Sequence, residues 1–284
     1  MVTGTGRGAV PHRSGHVLLL HNSEQERSSK LAGWVRRGLE NDEKVLYTEP
    51  PARPEKESLM AVLRANGVDT VTAQAEGRLS IIPAPDFYTA GGQLPVVERA
   101  LAEGYRGLRI AVEAKTALMS LTWPAYMEVE RGIDAVARTH PLSAMCQYNR
   151  TSLVKGDLDD IIKNHAGGIR ERLFSTTAGT TTGGSDSELT LTGEIDMSND
   201  DLLASALRFA ASRASGVFWL NLRHVGFLSA AGCRAIDQGT GQFRDGGGTV
   251  GLVSPGPPVA DALRLSGVAT LDGMELVGSH NWTR

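Results

Sequence analysis

Short apolar runs alternate with amphipathic stretches along the first half of the chain, and this alternation leaves few ways to fold it. "HVLLL" (residues 16–20) has the composition of a buried strand, and the "NSEQE" that follows carries Ser23 and Glu26 at capping-box spacing, so a helix is predicted to start there. Leu31, Trp34, Val35 and Leu39 then fall at i, i+3, i+4 and i+8 on one stripe, and "KVLYTE" (44–49) supplies a second strand, completing a βαβ unit. "LMAVLRANG" (59–67) and "VVERALAEG" (96–104) read as helices closing on glycine, with "LSIIP" (79–83) and "LRIAVEA" (108–114) as strands. A mostly parallel sheet with helices on both faces satisfies that order.

The pattern breaks at "STTAGTTTGGSDS" (175–187), where small polar residues and glycine replace all periodic apolar content, and it is expected to be a flexible linker. With 284 residues, 41% of them hydrophobic, the chain can build a core on either side of it. The expected organisation is a disordered tail over 1–14, a domain over 15–174, the linker, and a second domain over 188–284.

Beyond the linker, "SELTLTGEID" (187–196) alternates Leu189, Leu191 and Ile195 with polar partners and leaves its sheet at Asp196. A helix follows, with Leu203, Leu207 and Ala210 on one face, Ser198 or Asn199 available to cap it, and Asp200 and Asp201 at its positive end. "GVFWLNLRHV" (216–225) is a central strand running into "FLSAAG", and the next helix carries Ile236 and Phe243 on one stripe. Gly239 and Gly241 each cost that helix about 1 kcal/mol relative to alanine. "TVGLVSP" (249–255) and "PPVADALRLSG", which opens on prolines and closes on Gly267, complete a small α/β domain.

A formal net charge of −3 gives no basic excess for a nucleic-acid surface. Cys146 and Cys233, the two cysteines, fall in different domains, which points away from a disulfide framework and toward a reducing cytoplasm. The first residues have no apolar signal region and no later run is long enough for a bilayer, so a soluble cytoplasmic protein is expected. The first strand-to-helix loop, "HNSEQERSSK", contains no glycine and cannot wrap a phosphate. Nucleotide hydrolysis is therefore not expected, and the chain is read as no enzyme; a degenerate nucleotide-binding enzyme and a scaffold without a small ligand are the alternatives.

Polar residues at strand ends and in a late segment make the candidate ligand-binding set: His16, His21, Glu113, Glu130, Cys146 and Tyr148. Each also has a plain structural reading, since a histidine opening an apolar strand commonly serves the hydrogen-bond network and a lone cysteine commonly packs in a core. The two carboxylates carry more weight because burying one is costly unless something compensates it. Cys146 with His16, His21 or His165 has the donor chemistry for zinc, but no C-x-x-C or H-x-x-x-H spacing is present, so no cofactor is expected.

His16 opening the first strand, "GLENDEKVLY", "FYTAGGQL", "GLRIAVEA", the acidic helix around Glu130, "CQYNR" and the "IIKNH" ending in His165 together resemble the MEDS (DcmR-like) sensory domain over residues 15–174. The resemblance implies a RecA-like or KaiC-like core lacking a phosphate loop, used in bacterial signalling to sense small molecules. The order "LTGEID", "LNLRHVGFLSAAG", "VADALRLSG" resembles the STAS domain of anti-sigma-factor antagonists, over 187 to about 279.

Members of that second family usually read D-S-S-G at the junction, the first serine being phosphorylated by a kinase that is also the anti-sigma factor. Aligned on Gly232, this chain has Ser229 for the aspartate, Ala230 for the phosphoacceptor and Ala231 for the second serine. Asp196, Ser229, Ala230, Ala231 and Gly232 are thus the candidate docking residues. Ser229 is expected to bond a nearby backbone group. The combined expectation is an α/β, two-domain, non-enzymatic regulator, its sensory domain coupled to a docking domain that lacks the phosphorylatable serine. Expected partners are an anti-sigma factor or serine-kinase-like protein, an unidentified small molecule and a second copy of the chain, with no direct nucleic acid and no membrane.

Overall fold

The computed structural model describes residues 15–49, 54–55, 58–83, 87–88, 92–153, 157–165, 167–170, 174–180 and 187–278. The tail expected over 1–14 and residues 181–186 of the expected linker lie outside the described residues. Two compact units are present, one built mainly from Ser28–Met145 and the other from His16–Arg27 with Cys146–Arg284. Helix α1 (Glu24–Glu40) and strand β5 (Leu142–Asn149) each contribute to both.

In the first unit, β2 (Glu43–Thr48) is flanked by β4 (Gly107–Glu113) and β3 (Leu79–Ile82), both parallel to it. Apolar residues dominate these strands, and the helices of this unit include α2 (Leu59–Ala65), α3 (Thr70–Ala75), α4 (Leu94–Ala102) and α5 (Trp123–Thr139). Ser58 caps α2 by accepting from the Ala61 amide, and Asp69 caps α3 by accepting from that of Thr72. The core gathers Leu46, Val97, Leu108, Ile110, Ile133 and Leu142. On the opposite face of β4, Arg109 donates to Glu43 and lies 4.3 Å over the Trp34 ring.

In the second unit the strand order is β1 (His16–His21), β6 (Gly168–Arg170), β7 (Phe174–Thr180), β8 (Ser187–Ile195), β9 (Val217–Leu228), β10 (Thr249–Val253), β11 (Met274–Val277). The neighbours are parallel except at β6–β7 and β7–β8. Ser23 accepts from the Glu26 amide as the capping box requires, while the Glu26 carboxylate accepts from the amide of Asn22, one residue earlier than the standard box. Helices α6 (Asp157–Lys163), α7 (Asp200–Ala211), α8 (Ala230–Asp245) and α9 (Pro257–Leu265) accompany the strands. Asp159 of α6 accepts from Arg208 of α7 at 3.0 Å; hydrogen bonding to Ser205, and then to Arg208, holds its carboxyl below the usual range.

Residues 174–180 correct the linker expectation. They form β7, paired residue for residue with β8 from Phe174↔Gly193 to Thr180↔Ser187, and the Thr176 hydroxyl accepts from the Ile169 amide of β6. Small polar composition argues against burial, which is how the segment reads in sequence. It does not argue against backbone pairing, and β-branched threonine favours a pleated strand.

Gly239 also reads differently in place. A Cβ there would come within 2.7 Å of the Leu207 Cβ and 2.8 Å of the Ala204 carbonyl oxygen, so the glycine lets α7 and α8 touch through their backbones. Gly239→Ala is therefore expected to destabilise the protein by about 2 kcal/mol, overpacking outweighing the helix-propensity gain of about 1 kcal/mol. Urea unfolding of the full chain checks the sign, with Gly241→Ala, whose nearest neighbour is a side-chain tip at 4.0 Å, as the comparison expected to stabilise.

Candidate functional site

His16 opens β1, Cys146 lies in β5, and His165 follows α6 by two residues in the turn that feeds β6. That turn is tied to β1 directly, the amide of Gly167 donating to the His16 carbonyl at 2.8 Å and the amide of Gly168 to that of His165 at 3.0 Å. Three residues far apart in sequence thereby meet. His16 Nε2 is 3.2 Å from Cys146 Sγ, and the His16 and His165 ring centroids are 4.1 Å apart at an interplanar angle of 32°. All three side chains are buried. His165 Nδ1 lies 2.6 Å from the Ile161 carbonyl oxygen. Since a carbonyl only accepts, Nδ1 carries a proton.

The other sequence candidates divide between the two units. Tyr148, two residues from Cys146 on the same face of β5, sets its ring edge-on to His165 at 6.0 Å. His21 ends β1 and the period of two turns it to the face opposite His16. Glu113 and Glu130 belong to the first unit. Glu113 ends β4 and accepts from the Tyr47 hydroxyl on neighbouring β2. Glu130 is fully buried in α5, in the middle of the stripe Tyr126, Glu130, Ile133, Ala137. Tyr47 was missed in the sequence because "KVLYTE" reads entirely as core. Also missed was Arg27, whose guanidinium donates to Glu24 and to Gln147 at 3.1 Å; its i, i+3 spacing from Glu24 was the available signal.

The docking candidates cluster where β8 and β9 end. The Ser229 amide donates to the Ile195 carbonyl at 2.9 Å, and its hydroxyl accepts from the Gly232 amide at 3.1 Å, so Ser229 is the N-cap of α8. Ala230 is exposed at the first helical position, while Ala231 and Gly232 are buried. A Cβ on Gly232 would meet Leu228 and Ile195 side-chain atoms at 2.6 and 2.7 Å. Asp196 accepts from the amide and hydroxyl of Ser198, closing a turn that the buried Asn199 braces by bonding the Asp196 amide and the Glu194 carbonyl. Asn199, available as a cap by sequence, is engaged there instead of capping α7. Two apolar side chains flank this turn in the open, Met197 at 83% exposure and Phe227 at 51%. Neither was singled out in the sequence, although each adjoins the turn residues.

Burial pushes the Cys233 thiol up from its ordinary value, and neither cysteine forms a disulfide. Among the described residues no helix is long and apolar enough to cross a membrane.

The chain was compared with known proteins. A family model described as "MEDS: MEthanogen/methylotroph, DcmR Sensory domain" matches residues 15–166, and one described as "Mlab, STAS domain" matches residues 178–278. No curated protein matches the chain. Among solved structures it is similar to the anti-sigma factor antagonist SpoIIAA in its unphosphorylated form, at 17% identity over 36% of this chain and 86% of that one, TM-score 0.30. It is similar to a KaiC-like protein of the archaeon Pyrococcus horikoshii OT3, at 12% identity over 58% of this chain and 77% of that one, TM-score 0.41. It is also similar to the flagellar accessory protein FlaH of Methanocaldococcus jannaschii, at 19% identity over 62% and 76%, TM-score 0.39. With more than half of its 284 residues inside the first match, the chain belongs to the MEDS family, and it carries a STAS domain after that region.

Proposed function

We propose that the chain is a non-catalytic signalling regulator in which a small-molecule-sensing N-terminal region governs a docking surface of the anti-sigma-factor-antagonist type, with no phosphoryl switch at the docking turn. The observation that carries this is the start of α8. An exposed methyl group, Ala230, stands where the related domains place a phosphoacceptor, and the one neighbouring hydroxyl, Ser229, is engaged as the helix cap. A phosphoryl group at a helix N-terminus adds nearly two charges and several acceptor oxygens. Alanine takes none.

The surface around that methyl suits a protein partner, since Met197 and Phe227 present apolar area beside it. An anti-sigma factor or a serine-kinase-like protein is the partner we assign, with input by ligand occupancy in place of phosphate. For occupancy to act, the ligand binds two states of the protein unequally, because equal affinity shifts nothing. A nucleotide is a poor fit as that ligand. Only Asn22 and Ser23 separate β1 from α1, and Glu24 and Glu26 place negative charge in the first turn where a phosphate would sit.

The test uses the full-length protein with anti-sigma-factor kinases from its own cells and ATP. Phosphopeptide mapping is expected to find no phosphate on residues 229–232, and at least one kinase is expected to bind the unmodified protein. Ala230→Asp, which favours the helix by its position, is expected to weaken that binding at least tenfold. A phosphorylated Ser229, or binding unaltered by Ala230→Asp, would overturn the reading. Ser229→Ala separates the structural role, with an expected loss of about 1 kcal/mol of stability from the missing cap.

A further inference from the structure

We propose that His16, Cys146 and His165 bind a borderline-soft divalent cation of the zinc class. Sequence spacing alone set a metal aside, since the three positions lie in separate elements. The fold removes that objection by running β1 beside the turn that carries His165 and by presenting Cys146 from β5, so that one ligand atom from each residue lies within 4.8 Å of the others. Metal–nitrogen bonds of about 2.0–2.1 Å and metal–sulfur bonds of about 2.3 Å at tetrahedral angles place neighbouring ligand atoms roughly 3.3–3.6 Å apart. The His16–Cys146 separation of 3.2 Å is close to that, and ligand atoms spaced as far as 4.8 Å close by a little over an ångström, through side-chain rotation, to seat the ion.

The donor chemistry and its support agree with that geometry. A thiolate with two imidazoles suits zinc and its neighbours and does not suit magnesium or calcium. The His165 ring is held by the Ile161 carbonyl, the outer-shell bond that fixes a metal-ligating histidine in the tautomer whose other nitrogen coordinates. All three side chains are at most 2% exposed, so the ion would sit away from bulk water, with further coordination from outside the trio. Binding converts the thiol to thiolate and releases its proton to solvent, so no redox partner is needed. The inference goes beyond the docking reading, and the metal measurements do not depend on any partner protein.

The experiment strips the full-length protein with a chelator and titrates it with cobalt(II), then with zinc(II), reading absorption spectra and metal content by mass spectrometry. The expected result is one cobalt per chain, a thiolate-to-cobalt charge-transfer band in the near ultraviolet, and displacement of cobalt by zinc. Only two cysteines could give that band, so Cys233→Ala is the decisive variant, and it is expected to keep both band and stoichiometry. Cys146→Ser and His165→Gln, checked for native circular dichroism, are expected to weaken binding at least tenfold. Absence of a stoichiometric thiolate–cobalt complex in the unvaried protein overturns the proposal whether or not these last variants fold, and so does a band that vanishes in a folded Cys233→Ala.

Discussion

Gly168→Ala is expected to cost the protein about 4 kcal/mol, the sum of strain at a positive φ and of a steric overlap that cannot relax. Gly168 stands at φ 108° in β6, and a Cβ there would lie 2.2 Å from the Thr176 carbonyl oxygen of β7. The obstacle is backbone, so no rotamer change relieves it, and β6 and β7 must part locally. Equilibrium urea unfolding measures the loss, and hydrogen exchange is expected to quicken first at the amides of residues 174–180. Gly226→Ala is the control: its nearest neighbour is 3.9 Å away, and it is expected to stay within about 0.5 kcal/mol of wild type. A Gly168→Ala protein as stable as that control would mean that the close approach of the two strands is not maintained in solution.

Glu43→Leu is expected to cost about 3–5 kcal/mol, because it leaves the Arg109 guanidinium charged, buried and without its carboxylate. Arg109 is 1% exposed, and the space it occupies exists because Gly38 has no side chain: a Cβ there would come within 2.6 Å of the Arg109 Cδ. The informative comparison is the double variant Glu43→Leu/Arg109→Met. Exchanging a buried pair for apolar residues of similar volume is often nearly neutral, so the double variant is expected to recover most of the loss. Denaturant titration of the two single variants and the double closes the cycle. Additive losses would mean that the two side chains act separately.

Much of the architecture was legible because strands buried on both faces announce themselves. "HVLLL", "KVLYTE" and "LRIAVEA" are short runs dominated by apolar residues, and β1, β2 and β4 fall on them. The start of α1 was legible from Ser23 and Glu26, and the order of the second domain from its turn residues. Helix α3, six residues long, was not, because one and a half turns carry too little periodicity; its cap Asp69 was the available signal. β7 was missed for a different reason: its pairing is with backbone on both sides and leaves no apolar trace. The trio was legible as residue types and illegible as a group, since His16 and Cys146 are 130 positions apart and only the strand order brings them together. At the start of α8, the alanines at 230 and 231 could be read directly, whereas the exposure of Met197 and Phe227 depends on where β8 and β9 stop.

The seven residues of β7 bear on how this protein can be taken apart. Family matches end at residue 166 and resume at 178, which invites a cut in that interval or just after it. Such a cut unzips a central strand: a fragment starting at Ser187 bares the whole margin of β8, with Leu189 and Leu191 along it, and a fragment ending near 173 bares that of β6. Unsatisfied strand margins of this kind recruit other chains. Isolated halves made that way would clump for a reason foreign to the intact molecule; retaining β7 with the C-terminal fragment keeps β8 paired and, of those two margins, leaves only the three-residue one of β6 bare.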